Sequence, residues 1–511
     1  MPLLGTLIKK AYQLKDRPAL RQNQFSPAQL QEKELNKLLS MAQYTSFGEY
    51  FKFRSLLTST NMIADFQNSI PVYDYTKMFK DWWYRALNGE TFVSWPGKIK
   101  YFALTSGTSE ASSKQIPVTG DMLKSIKKAS LRQLVSASRY DFPLEFFEKG
   151  ILMIGGSTHL NLNGSYLEGD LSGISAGNIP FWFQHFYKPG RRISRQRDWS
   201  TKLDEIVKSA PKWDIGIIVG VPAWIQIILE RIIEFHGLKT IHDLWPNLNV
   251  YVHSGVAFAP YKKTFEKLFA HPIIYNESYL ASEGYIAYQN HPGDAGMRMI
   301  LDNGIFYEFV PFDDENFDED GNIVKNPEVL HIGQVKEEEE YALLISNNSG
   351  AWRYLIGDTI KFTSLQDSEI IITGRTKHFL SICGEHLSLD NISRAMELTQ
   401  QELDLNIGEF TVMGVEYGSL WAHEWHIGSD ENYDLKKIAK VLDDHLGTLN
   451  DDYRVERMEA IKDISVKVIP NAIFSKWMKQ NGKEGGANKF PRVLKNKMKT
   501  DWLEFVKKEG Y

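Results

Sequence analysis

Lys98-Ile99-Lys100-Tyr101-Phe102-Ala103-Leu104 runs into Thr105-Ser106-Gly107-Thr108-Ser109, and Lys114-Gln115-Ile116-Pro117-Val118 follows after a short gap. The texture of the chain changes here. Residues 98–104 read as a strand and 114–118 as a second one. Between them, hydroxyls and a glycine offer O–H donors and flexible backbone amides. That combination can wrap a polyphosphate, with Lys114 adding charge. No Gly-Lys-Ser/Thr closes the run, and a strand rather than a helix comes next, so it is not a Walker loop. Taken alone, the run is equally a polar turn.

Working outward, residues 1–95 look helical and polar, with Trp82 and Trp83 as aromatic anchors. A helix is expected over 121–138, where Met122, Ile126, Leu131 and Leu134 recur near helical spacing. Strands and helices then alternate: strands at 151–154, 215–219, 249–252 and 273–275, and helices at 222–235 and 261–268. Such alternation predicts α/β layers. Residues 300–375 read as hairpins, with 341–346 and 352–355 flanking a turn at Asn347-Asn348-Ser349-Gly350. Beyond about residue 377, helix candidates at 388–400, 434–448 and 497–508 and strand candidates at 409–415 and 422–428 suggest an α+β module of ordinary domain size. The expected organisation is therefore a large α/β domain over 1–376 and a small α+β domain over 377–511, hinged at Arg375 and Lys377.

Composition narrows the function classes. The 511 residues carry 59 Lys plus Arg against 64 Asp plus Glu, a net charge of −5, which is no basic nucleic-acid footprint. A hydrophobic share of 43% and a charged share of 24% exclude disorder as the main state. The single cysteine, Cys383, can form neither an intrachain disulfide nor a multi-thiolate zinc site. Lys9 and Lys10 are followed by polar residues rather than an apolar h-region. The most apolar stretch, 215–229, is shorter than a bilayer span and holds Pro222 and Gln226, so it reads as core. A cytoplasmic protein with no membrane or nucleic-acid partner is expected.

Three further segments carry possible chemistry. In Tyr279-Leu280-Ala281-Ser282-Glu283-Gly284, a Glu at a strand–loop junction can bind Mg²⁺ and a Tyr can stack on a purine. In Tyr354-Leu355-Ile356-Gly357-Asp358, followed by Gly374-Arg375, an Asp after a Gly turn can accept two vicinal ribose hydroxyls, with an Arg in support. In Gly485-Gly486-Ala487-Asn488-Lys489-Phe490-Pro491-Arg492, a glycine-rich loop ends in a lysine that could carry charge onto a reaction centre. Individually these also read as a core aromatic beside a solvated acid, a hairpin turn, and a basic tail.

Their order and spacing together resemble the adenylate-forming superfamily of acyl-CoA ligases and luciferases. Ser106-Gly-Thr-Ser-Glu-Ala-Ser-Ser-Lys-Gln-Ile-Pro117, Leu449-Asn-Asp-Asp-Tyr-Arg454 and Asn488-Lys-Phe-Pro-Arg492 are similar to one branch, the auxin-responsive (Gretchen Hagen) acyl acid amido synthetases, from about Tyr44 to the end. The resemblance implies a large adenylation domain with a β-barrel-like part and a mobile C-terminal domain. It implies ATP-dependent activation of a carboxylic acid as an acyl-adenylate, then transfer to an amino acid amine, with Mg²⁺ as cofactor. By position, Ser106, Gly107, Thr108 and Ser109 would cradle the ATP phosphates with Lys114. Ser254-Gly255-Val256 would line the adenine and acyl pockets. Tyr279 would stack on adenine beside Ser282, and Glu283 would hold Mg²⁺. Asp358 would bind the ribose, supported by Arg375. Lys489, Glu283 and Ser109 would be catalytic, with Lys489 neutralising charge between carboxylate and α-phosphate. Val221, Pro222 and Phe181 are candidates for the acyl pocket. An acyl-CoA ligase, or a nucleotide-binding protein without turnover, remains open.

Two departures stand out. The family's Tyr-Arg-x-Gly-Asp has Leu355 where Arg belongs, the nearest being Arg353, and Leu280 replaces a small residue after Tyr279. Other features read blandly. His423 and His426, at i and i+3 of a strand, would face opposite sides rather than share a metal. Residues 313–321 lack a Glu at the twelfth EF-hand position and read as a solvated turn. The glycines at 155, 156, 164, 169, 173 and 177 read as a substrate-side loop, and Cys383 as incidental.

Overall fold

A computed structural model describes residues 25–105, 114–136, 142–255, 258–291, 294–318, 321–376, 389–417, 420–450, 461–482 and 490–511, with positions 380, 385, 387, 453, 454 and 457. The chain opens on helix α1 (Pro27–Ala42), started by a Ser26 capping box with Gln29 and a proline in its first turn. Short helices follow as far as Leu87. Buried polar side chains pin α1 to the sheet behind it. Gln31 donates from Nε2 to the carbonyls of Leu301 (2.8 Å) and Ile305 (3.0 Å), and its Oε1 accepts from the Tyr307 amide (2.6 Å).

The expected strands around the hydroxyl run are β1 (Tyr101–Thr105) and β2 (Lys114–Val118). They pair antiparallel with Thr105 opposite Lys114, and β4 (Asn161–Asn163) and β5 (Tyr166–Gly169) complete a four-stranded sheet in the order β2-β1-β5-β4. Helix α2 (Gly120–Ser136) follows β2, as its apolar spacing predicts.

The centre is one twelve-stranded sheet. Its parallel half contains β3 (Gly150–Met153), β6 (Tyr187–Lys188), β7 (Ile215–Gly220), β8 (Val250–Ser254) and β9 (Ile274–Ala281). Apolar runs such as Ile215-Gly-Ile-Ile-Val219 suit strands covered on both faces. On one face lie α3 (Trp199–Ser209), α4 (Pro222–His236) and α5 (Ala259–Leu268), with Ile218, Tyr251, Ile228 and Phe265 in a shared core. Pro222 starts α4, and Gly237, at φ +62°, ends it. On the other face, Ile217 and Val250 pack with Phe146, Phe147 and Leu134 of α2.

The sheet continues antiparallel through β10 (Gly284–Tyr288), β11 (Met297–Met299), β12 (Ile305–Pro311), β13 (Leu330–His331), β14 (Glu340–Asn347), β15 (Tyr354–Ser364) and β16 (Glu369–Arg375). The barrel-like part expected here is this open run. Its order, β13-β12-β14-β15-β16-β11-β10, leads straight into β9 and the parallel half.

A third sheet is built only from later residues: β17 (Phe410–Tyr417), β18 (Leu420–Gly428), β19 (Ile461–Ile469) and β20 (Val493–Leu494), ordered β19-β18-β17-β20. Helices α6 (Leu389–Leu403), α7 (Leu435–Leu449), α8 (Asn471–Gln480) and α9 (Asn496–Lys508) pack on it around separate cores centred on Trp425 and Trp502. Sequence periodicity missed β19 and α8. Among the described residues, no helix is long and apolar enough to cross a membrane.

Candidate active site

Three distant segments meet beside the carboxyl end of β9. The first is the tight β9–β10 turn at Ser282 and Glu283, which Asn347 fixes by donating from Nδ2 to the Glu283 carbonyl (2.7 Å). Gly284, at φ +151°, follows against Ile305, where a Cβ would lie 2.8 Å from Cδ1. The second is β15. Ala342 pairs with Thr359 and Leu344 with Leu355, so Ile356, Gly357 and Asp358 stand opposite Leu343 alone. Gly357 takes φ +87° in this bulge, a conformation open to glycine. Asp358 thus sits on a bulged strand rather than in the expected hairpin turn, and the bulge re-aims its side chain. The third is the end of β16, where Arg375 pairs in register with Asp358.

The side chains converge on the Asp358 carboxylate. Arg375 forms an ion pair through Nε with Oδ1 (3.1 Å) and donates from Nη2 to the Ile356 carbonyl (3.0 Å). The Tyr279 hydroxyl donates to Oδ2. Glu283 is buried, and burial first, then the Asp358 charge, pushes its carboxyl up to about 7. Arg375 and Lys114 act in the opposite direction, which puts both cations within electrostatic reach of Glu283. Burial and the Asp358 charge hold the Tyr279 phenol protonated far above its ordinary range, so it stays a donor.

Several expected residues take unexpected places. Tyr279 lies inside β9 and is only 5% exposed. A ring so enclosed, with its hydroxyl on Asp358, positions the carboxylate, a task that a stacking role did not anticipate. Arg353 does not replace the missing motif arginine. It is buried at φ +43° and donates from Nε to Glu308 (3.0 Å) and from Nη1 to the carbonyls of Gln67 and Ile70. Ser254 ends β8 and Gly255 follows at φ +89°. Ser106, Gly107, Thr108, Ser109, Val256, Lys377 and Lys489 lie outside the described residues. Just after Lys489, Phe490 packs on Phe474, Trp477 and Trp502, and Arg492 pairs with Glu409 (2.6 Å), which accepts the Tyr261 hydroxyl of α5 (2.8 Å).

Of the acyl-pocket candidates, Val221 caps α4 and Pro222 opens it. Val221 packs with the cluster on the α4 face, and Phe181 is 89% exposed. On the opposite face, Met153, Val219 and Val252 at the strand ends, with Leu134 and Phe183, form a half-buried apolar group. Strand period puts Val219 on the face of Ile217 and Val252 on the face of Val250, and the register of β7 with β8 brings the two together. Open α/β sheets bind ligands at this carboxyl edge. Elsewhere, His423 pairs with Glu385 (3.0 Å) and His426 with Glu424 (2.8 Å), so the two histidines do not converge. Asp313 accepts from the amides of Glu315 and Asn316 in a turn.

The models of the GH3 family N-terminal, central and C-terminal domains match residues 19–160, 298–373 and 390–498. The Arabidopsis thaliana indole-3-acetic acid-amido synthetase GH3.10 is 23% identical over 54% of this chain and 50% of its own length. The Nicotiana attenuata jasmonoyl–L-amino acid synthetase JAR4 is 23% identical over 74% and 72%. The chain thus spans about half the length of the first relative and nearly three quarters of the second. The solved structure of AtGH3.15 acyl acid amido synthetase in complex with 2,4-DB shares the fold at a TM-score of 0.77, with 17% identity over 98% of this chain and 96% of that one. That of a 2-hydroxyisobutyryl-CoA ligase does so at 0.59, with 13% identity over 93% and 91%. With all three domain models matched in order along most of its length, the chain belongs to the GH3 family.

Proposed function

We propose that this chain is an ATP-dependent acyl acid–amino acid ligase. The observation that carries the reading is the convergence of Tyr279, Glu283, Asp358 and Arg375, from separate motifs, beside the carboxyl end of β9. A carboxylate oxygen attacks the α-phosphorus of ATP and pyrophosphate leaves. The amine nitrogen of an amino acid then attacks the acyl carbon, AMP departs with the oxygen, and the nitrogen sheds its proton to water.

In this reading Asp358 accepts the ribose hydroxyls and Arg375 and Tyr279 orient it. Ser106, Gly107, Thr108, Ser109 and Lys114 face the phosphates, and Ser254, Gly255, Val256 and Ser282 line the nucleotide and acyl sites. Lys489 neutralises the two reacting anions. A buried acid beside a second carboxylate, Asp358, fits Mg²⁺, which binds through one or two carboxylates plus substrate phosphates. Glu283 would hold it, and the ion supplies charge neutralisation on the triphosphate. The acid enters over Met153, Val219 and Val252. The domain boundary lies at 376/377, and rotation about Arg375 and Lys377 separates the two half-reactions. One cysteine suits a reducing compartment, and we place the protein in the cytoplasm.

The test is pyrophosphate release from Mg-ATP with a panel of carboxylic acids, with and without mixed amino acids, in wild type and Lys489→Ala. Acid-dependent release that becomes continuous only with an amine, and falls of order 10²–10³-fold in the variant, is expected. Turnover that requires coenzyme A instead would reassign the chain as an acyl-CoA ligase. ATP binding without release for any acid would count against catalysis.

A further inference from the structure

The carboxyl edge of the parallel half has two faces of different chemistry. One carries Met153, Val219 and Val252. On the other, Gly220, His253 and Glu277 are direct register neighbours on β7, β8 and β9. Their face is set by the preceding pleat: Tyr251 and Tyr275 lie 6.4 Å apart, and both pack on Phe258 at the start of α5. The His253 ring stacks on the same Phe258 at 4.7 Å. Gly220 puts no side chain into the row.

Neither ionisable group is satisfied. His253 is 5% exposed, and its Nδ1 is buried without a hydrogen-bond partner among the described residues. Burial holds this imidazole neutral, with its pKa lowered to about 4. The Glu277 carboxylate is half-buried and has neither ion pair nor hydrogen bond among the described residues, and burial alone raises its pKa. Three other acids of the fold are paired with arginine: Glu308 with Arg353, Glu409 with Arg492 and Asp358 with Arg375. Two adjacent orphaned acceptors in a native fold call for a ligand that brings its own donors and positive charge. Glu277 is also two residues from Tyr279 on the same strand face, roughly 7 Å from the residue that holds Asp358.

We propose that His253 and Glu277 receive the amine substrate: the Glu277 carboxylate pairs with its ammonium group and His253 accepts an N–H, on the sheet face opposite the apolar acyl group. This deepens the ligase reading and rests on it. The acceptor is then a compound with a free, protonatable amino group, taken up from the α5 side, while the acid occupies the other side of the strand ends.

The experiment separates the half-reactions in the full-length chain. Acid-dependent ATP–pyrophosphate exchange reads the first, and amide formation with increasing amino acid reads the second, using the acid and the amino acid that give wild type its highest rate. Glu277→Gln is expected to raise KM for the amino acid at least tenfold and His253→Asn about three- to tenfold, with exchange moved less than twofold in either. Intact exchange also shows that each variant folds. An unchanged amino acid KM in Glu277→Gln, or equal losses in both half-reactions, would overturn the assignment while leaving the ligase reading in place. Absence of acid-dependent exchange in wild type would overturn the ligase reading itself.

Discussion

Two arginine–carboxylate pairs lie within one β-hairpin system of this molecule and do opposite things. Arg353 and Glu308 are 5% and 0% exposed. Arg353 donates to both Glu308 oxygens and to two carbonyls of the N-terminal helical region, and its own carbonyl accepts the Tyr73 amide (2.9 Å). These bonds fasten the first helices to β12. Arg375 and Asp358 are 42% and 15% exposed, joined by one contact, with Tyr279 on the second carboxylate oxygen. The same chemistry is a staple where the guanidinium bonds inward and both groups are sealed from solvent, and a site where the pair is partly open. Sequence proximity to a motif is therefore a poor guide: Arg353, five residues from Asp358, belongs to the fold, while Arg375, seventeen away, belongs to the site.

The comparison breaks most visibly at Arg353. Replacing it by Ala leaves Glu308 buried without its counter-charge, a loss of about 3–5 kcal/mol. Urea unfolding should show it, and activity per folded molecule should be little changed. Asp358→Asn should do the reverse. Its stability should stay within about 1 kcal/mol, because the site is partly solvated, while acid-dependent pyrophosphate release drops of order 10²-fold. If Asp358→Asn unfolds the protein instead, the distinction between staple and site fails.

A further effect is the pH dependence that Glu283 brings. Glu283 keeps its proton to about 7 in the folded chain, against an ordinary 4.5. The folded state therefore binds more protons between these values, and stability falls as pH rises through that window, by roughly 3 kcal/mol in total. Without Mg²⁺, melting temperature from pH 5 to 8 should decline less steeply in Glu283→Gln than in wild type, and Mg²⁺ with ATP should restore wild type most at the upper end. Parallel profiles would remove Glu283 from the metal role.

Much of this was legible before any coordinates. The alternating apolar runs gave the parallel half, because buried strands and amphipathic helices leave distinct periods. Glu283, Asp358 and Arg375 stand out in the sequence by residue type and by the glycines beside them. What stayed hidden depends on register. The bulge that re-aims Asp358 arises from how β14 and β15 pair across a turn, and no local pattern at Gly357 distinguishes it from a hairpin. The division of the sheet edge into Val219 and Val252 on one face and His253 and Glu277 on the other needs the strands aligned with one another. The sequence pattern ends β9 near Tyr275 and leaves Tyr279 in a loop, whereas the strand runs on to Ala281.

That last difference gives the finest test. A stacking ring and an orienting hydroxyl predict different outcomes for Tyr279→Phe, since phenylalanine keeps the ring and loses only the donor. If stacking is the whole role, affinity for ATP is unchanged. If the hydroxyl holds Asp358, one charge-assisted hydrogen bond goes, while Arg375 still pairs with the carboxylate and limits the damage. The expected result is about a tenfold rise in the Kd for Mg-ATP, equivalent to about 1.4 kcal/mol, with the melting temperature close to wild type. Titration calorimetry measures it directly. Combining Tyr279→Phe with Arg375→Lys should then cost more than the two changes added, because each variant alone leaves Asp358 one fixed partner and the pair together leaves it none of its native geometry.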